Sequence, residues 1–159
     1  MTLLFSRLSP RGQKEYTIRR EKNAAKRHTM NVKRALILDD DPVMLEILKK
    51  HFEVRGYDVV GYSSPILCQL FTARSCPPDI PCPDVIVTDL VMNTVNGIQF
   101  IDEVKRKGCT SHIALISGLW TDVTLQWAAE FGVKVLHKPV NLQDLNDWLT
   151  TIETNRATP

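Results

Sequence analysis

Four apolar runs, each closed by a polar residue of a particular kind, leave this chain few folds to choose from. They are Leu36-Ile37-Leu38-Asp39-Asp40-Asp41-Pro42, Val85-Ile86-Val87-Thr88-Asp89-Leu90-Val91-Met92, Ile113-Ala114-Leu115-Ile116-Ser117-Gly118 and Val135-Leu136-His137-Lys138-Pro139. Short Val-, Ile- and Leu-rich runs separated by helical stretches read as strands buried on both faces, as in a parallel sheet. In such sheets ligands bind beyond the carboxyl ends of the strands. Asp39, Asp40, Asp89, Ser117 and Lys138 are therefore expected to meet at one edge. Carboxylates, a hydroxyl and an ammonium gathered there can hold a divalent cation and a phosphoryl group.

The intervening segments supply the helices. Residues 34–38 form the first strand, Asp41 stands at an N-cap and Pro42 at the first helical position. Val43, Leu45, Ile47, Leu48 and Phe52 make an apolar stripe that Gly56 ends. A strand over 57–62 precedes a helix over 65–74, capped by Ser63 or Ser64. Residues 75–83 hold four prolines, which excludes helix and ladder strand. The pattern then predicts a strand over 84–88, a turn over 93–97, a helix over 98–107 and a strand over 112–116. A helix over 121–131, a strand over 133–136 and a last helix capped by Asn141 follow. Strand and helix alternate five times, which argues a doubly wound α/β sheet in one domain.

The acid cluster carries the chemistry. Asp39, Asp40 and Asp89 repel one another when ionised and favour a hard cation such as Mg²⁺. A carboxylate is an adequate nucleophile toward an activated phosphoryl donor. Catalysis is then mainly alignment and charge neutralisation. Lys138 can offset part of that charge, and the Ser117 hydroxyl can donate to a phosphoryl oxygen.

These residues, over about 33–154, resemble the receiver domain of two-component response regulators. The resemblance implies a flavodoxin-like (βα)5 fold with strand order 2-1-3-4-5. It implies Asp89 as the phosphoacceptor, and Mg²⁺ (or Mn²⁺) held by Asp39, Asp40, Asp89 and the backbone carbonyl of Val91. Ser117 and Lys138 would bind the phosphoryl group, with Ser117 as the switch hydroxyl. The family often has a cis bond at the position matching Lys138-Pro139. The implied donor is a sensor histidine kinase or a histidine phosphotransfer protein. The implied output is a protein–protein contact through the fourth helix, fifth strand and fifth helix, a surface that also admits a homodimer. The chain would not be an enzyme beyond its own phosphorylation and dephosphorylation.

Three departures bear on that expectation. Asn93 stands where the family usually has Pro, and Asn96 where Asp is common. Val135 occupies the place of a Tyr or Phe that normally rotates inward with the hydroxyl, and Trp120 is the candidate substitute in the relay. A degenerate receiver, binding without phosphorylation, is therefore the alternative. A Mg²⁺-dependent phosphohydrolase of the haloacid-dehalogenase type is a weaker one. Its nucleophile lies in an Asp-x-Asp arrangement at the first strand, whereas Pro42 here launches a helix directly after the acid pair.

Charge and cysteines complete the reading. Of the net +2, residues 1–29 contribute eight basic against two acidic residues, or +6, and the remainder twelve against sixteen, or −4. Residues 1–32 are expected to be a basic extension, either a solvated tail or sequence upstream of a start at Met30, and residues 155–159 a short tail. Nucleic acid is not expected as a partner. No apolar stretch approaches the roughly 20 residues a membrane span needs, so a cytoplasmic protein is expected. Cys76 and Cys82 share the Pro-rich loop and could form a redox pair. A zinc site recruiting Cys109 or His112 is the other functional reading, and idle thiols are the default.

Overall fold

The computed structural model describes residues 32–75 and 82–157. The basic extension and Cys76 fall outside the described residues. Five parallel strands form one sheet in the order β2-β1-β3-β4-β5. They are β1 (Arg34–Leu38), β2 (Asp58–Tyr62), β3 (Val85–Asp89), β4 (His112–Ser117) and β5 (Lys134–His137). The helices are α1 (Pro42–Val54), α2 (Gln69–Thr72), α3 (Gly97–Arg106), α4 (Asp122–Glu130) and α5 (Leu142–Ala157). The expected doubly wound fold and strand order are thus present, and α5 continues past residue 154.

Alternation along the strands builds two cores. Ala35, Ile37, Val85, Val87, Ala114, Ile116 and Leu136 face one way, against Leu48 and Phe52 of α1 and Leu145, Leu149 and Ile152 of α5. Leu36, Leu38, Ile86, Ile113 and Leu115 face the other, against Phe100, Ile101 and Val104 of α3 and Ala128 of α4. Both faces of the sheet are covered, which is why β1, β3 and β4 read as continuous apolar runs rather than alternating ones.

The helix ends follow their local chemistry. The Asp41 carboxylate accepts from the N–H groups of Val43 and Met44, with Pro42 next in the chain. Asn96 and Gln99 close a reciprocal capping box on α3, and Thr121 and Thr124 do the same on α4. Gly56 (φ 83°) and Gly108 (φ 81°) turn the chain out of α1 and α3 in the left-handed region that a Cβ disfavours.

The helix expected over 65–74 is broken in two. Pro65–Leu67 forms a 3-10 turn, Cys68 is extended (φ −96°, ψ 124°), and only Gln69–Thr72 is α-helical. Ser64 does not cap it, because its hydroxyl pairs with that of Thr94 at 2.6 Å. The short helix is held from outside: Lys107 Nζ donates to the carbonyls of Leu70 (3.2 Å) and Phe71 (2.5 Å), and Phe71 stacks on Phe100.

Candidate phosphoryl and metal site

β1 and β3 lie side by side, and the chain leaves their carboxyl ends in opposite directions to reach β2 and β4. This is the switch point at which doubly wound sheets open a crevice. Asp39 follows the last residue of β1, and Asp89 is the last residue of β3. Asp39, Asp40 and Asp89 each place a carboxylate oxygen within 4.8 Å of the others, the only such group of acidic, thiol or imidazole side chains among the described residues. Asp39 and Asp89 are buried, and Asp40 is half-buried.

Lys138 enters from the end of β5. Its backbone N–H donates to the Ser117 carbonyl at 2.9 Å, which ties the ends of β4 and β5 together, and the Lys138-Pro139 peptide bond is cis. Its ammonium donates to Asp89 Oδ2 at 2.8 Å and stands 3.9 Å from Asp39 Oδ2, an ion pair too long for a hydrogen bond. Burial works against the charge on Lys138. The Asp89 hydrogen bond and the charges of Asp39, Asp89 and Asp40 outweigh it and hold the ammonium above the ordinary lysine value.

Asp39 is the strained member. Its Oδ1 accepts from the Asp41 N–H at 2.9 Å, but its buried Oδ2 has no hydrogen-bond partner. Burial raises its pKa from 3.8 to about 6. The Asp41 N–H and the Lys138 charge pull it down, and the charges of Asp89 and Asp40 add to the rise. An ionised carboxylate held here with an unused oxygen is an arrangement that a hard cation would complete. Asp89 Oδ1 receives the Val91 N–H at 3.4 Å.

Ser117 is buried at the end of β4, in register with His137. Its hydroxyl is engaged locally: it donates to the Leu119 carbonyl at 2.8 Å and accepts from the Leu119 N–H at 3.0 Å. Trp120, in the same loop, is half-buried, sets its ring edge against His137 at 5.8 Å between centroids, and keeps a buried indole N–H without a partner. Val135 is half-buried and packs into the core beneath α3 and α4. Val91 (67% exposed) and Leu119 (82%) form an apolar rim.

Of the residues read as redox or zinc candidates, Cys82 and Cys109 come together in the core that covers the α3 face, while His112 is exposed at the start of β4. In the sequence Gly97 reads only as the end of a turn. A Cβ there would lie 2.4 Å from the Asp89 carbonyl oxygen and 2.6 Å from Leu115 Cδ1, so α3 packs its first residue directly on the backbone of the acid site. No signal within one sequence marks that approach.

Comparison with known proteins agrees with this fold. A family model described as the response regulator receiver domain matches residues 35–150. The probable C4-dicarboxylate response regulator DctR of Halalkalibacterium halodurans is 25% identical over 122 residues, covering 76% of this chain and 51% of that protein. The chain therefore spans about half the length of that relative. Among solved structures, the receiver domain protein of Methanospirillum hungatei superposes with a TM-score of 0.67 at 18% identity, covering 81% of this chain and 100% of that one. The Francisella response regulator 1452 receiver domain gives 0.65 at 21% identity, covering 78% and 98%. Chemotaxis protein CheY4 of Vibrio cholerae gives 0.62 at 21% identity, covering 76% and 98%. The family match extends from β1 into α5 and spans every residue of the acid cluster, so the chain belongs to the response regulator receiver domain family.

Proposed function

We propose that this receiver accepts a phosphoryl group on Asp89 from a histidine kinase or histidine phosphotransfer protein, with Mg²⁺ (or Mn²⁺) as cofactor. The observation that carries this reading is the charge arrangement. Three carboxylates crowd within 4.8 Å, and one lysine ammonium is bonded to the member at the end of β3. Asp39, Asp40, Asp89 and the Val91 carbonyl would hold the cation, and the unpartnered Asp39 Oδ2 fits that role. When bound, it supplies Lewis-acid neutralisation of phosphoryl charge.

An Asp89 carboxylate oxygen bonds to phosphorus as the donor's P–N bond breaks, with Lys138 released from its pairing to neutralise the transferred oxygens. Ser117 then turns its O–H from the Leu119 carbonyl to a phosphoryl oxygen. Giving up both bonds to Leu119 frees the segment from Gly118 to Thr121, which carries Trp120. Trp120, against His137 of β5, supports a relay that Val135 is too small to perform. The signal is read by a downstream protein on the α4–β5–α5 surface, through which two copies could also pair.

Intact-protein mass after incubation with acetyl phosphate and Mg²⁺ tests the reading. One phosphoryl adduct is expected, absent from Asp89→Asn and from a chelator control. No adduct on a folded protein that binds Mg²⁺ would favour the unphosphorylated binding module.

A further inference from the structure

The far edge of the sheet, at the amino ends of the strands, holds a thiol pair separated by 27 positions in the chain. Cys82 leads into β3 and Cys109 follows α3. The Ser111 hydroxyl joins the two segments, donating to the Pro83 carbonyl at 2.5 Å and standing 3.1 Å from Cys109 Sγ. The His112 N–H donates to the Asp84 carbonyl at 3.0 Å, and an Arg34 guanidinium nitrogen donates to the Cys82 carbonyl at 2.9 Å. Cys109 belongs to the apolar core on this face and Cys82 packs against the same cluster, so the two thiols are neighbours.

We propose that Cys82 and Cys109 form a peroxide-sensitive dithiol that closes to an intramolecular disulfide. Cys82 is half-buried and Cys109 is buried, so a hydroperoxide reaches Cys82 first. The Cys82 sulfur attacks one oxygen of hydrogen peroxide, the O–O bond breaks, and the thiol proton leaves with the departing hydroxide as water, giving a sulfenic acid. The Cys109 sulfur then attacks the sulfenic sulfur; the S–O bond breaks, the thiol proton leaves with the hydroxyl as a second water, and the S–S bond forms. Two thiols are oxidised by two electrons and one hydroperoxide is reduced. Burial raises the Cys109 pKa, the Ser111 N–H draws it down, and the neighbouring Cys82 adds to the rise, so Cys109 stays a thiol until Cys82 has been oxidised. The cross-link joins the approaches to β3 and β4 and lies at the opposite end of the strands from Asp89. It would fasten the end of the Pro-rich loop without entering the phosphoryl site.

The test is peroxide treatment of the reduced full chain, followed by digestion before aspartates without reductant. Cleavage at Asp79 and Asp84 separates Cys82 from Cys76. The expected product has lost two hydrogens in mass and shows a linked peptide pair carrying Cys82 and Cys109. It reverts with a dithiol reductant and still takes the acetyl phosphate adduct. Cys82→Ser, at a half-buried position, should keep the fold and lose the link, and Cys109→Ser should leave Cys82 to oxidise further. A Cys76–Cys82 link, or sulfinic acid at Cys82 of the unmutated chain with Cys109 still a thiol, would overturn the proposal.

Discussion

Replacing Asp39 by Asn should stabilise the protein at neutral pH, although it removes a charge from the middle of the proposed site. The Asp39 carboxyl is buried, and its pKa rises from 3.8 to about 6. Each pH unit between those values costs the ionised form about 1.4 kcal/mol, so folding with Asp39 charged costs about 3 kcal/mol. The folded state binds the proton more tightly than the unfolded one. Stability therefore falls as pH rises from about 4 to about 6, and the whole penalty is present above that. Asn is isosteric. Its carbonyl oxygen can still accept from the Asp41 N–H, and its NH₂ replaces the oxygen that accepts no hydrogen bond and lies among neighbouring carboxylates. In chelator at pH 7.5, urea unfolding should give Asp39→Asn an advantage approaching 3 kcal/mol, shrinking to near zero by about pH 4. Saturating Mg²⁺ should narrow the gap at pH 7.5 by stabilising the unmutated protein. If the variant were less stable in chelator, or its advantage persisted unchanged at pH 4, electrostatic strain at Asp39 would be refuted.

Other perturbations separate the roles of neighbouring residues. Gly97→Ala should cost about 1–3 kcal/mol by thermal unfolding and weaken Mg²⁺ binding, since the new methyl meets the Asp89 carbonyl oxygen, a backbone atom that cannot turn aside, as well as the Leu115 side chain. Lys138→Met should slow adduct formation from acetyl phosphate about 10²-fold or more; an unchanged rate would remove Lys138 from the mechanism. Glu153 accepts from Lys33 (3.0 Å), Arg55 (2.8 Å) and Tyr57 (3.0 Å) at the join of α1 and α5. Burial works against its charge, but those three bonds lower its pKa below 4.5, so its contribution exists above that value and is lost as pH falls through the folded value. Glu153→Gln should cost about 1–2 kcal/mol at pH 7 and little in acid, opposite in sign to Asp39→Asn. The adduct on Asp89 should be long-lived, because the exposed rim of Val91 and Leu119 gives an attacking water nothing to orient it; loss of the adduct within seconds in a purified sample would contradict this.

Most of the architecture could be read from the chain because it rests on local chemistry. Buried parallel strands must be apolar throughout, Asp41-Pro42 is a helix start by its own hydrogen bonds, and Asn96 with Gln99 forms a cap within four residues. The failure at 65–74 has the same logic. The segment has a proline start and helical residues, but its cap serine bonds across to Thr94 and its last carbonyls depend on Lys107, partners far away in sequence.

The sequence by itself determined the strand runs, the helix caps, and which residue types end each strand, since all three depend on periods of two and 3.6 and on neighbours within one turn. Only the tertiary structure decided how those ends meet. It put Asp39 beside Asp89 with one oxygen unpartnered, brought Lys138 Nζ to Asp89, and turned the Ser117 hydroxyl onto Leu119. It also seated Gly97 on the Asp89 backbone and brought Cys82 and Cys109 to one core. The contacts of Asp39 and Lys138 with Asp89 and of Cys82 with the Cys109 core close long loops, and strand order, register and packing choose among such closures where local spacing carries no information.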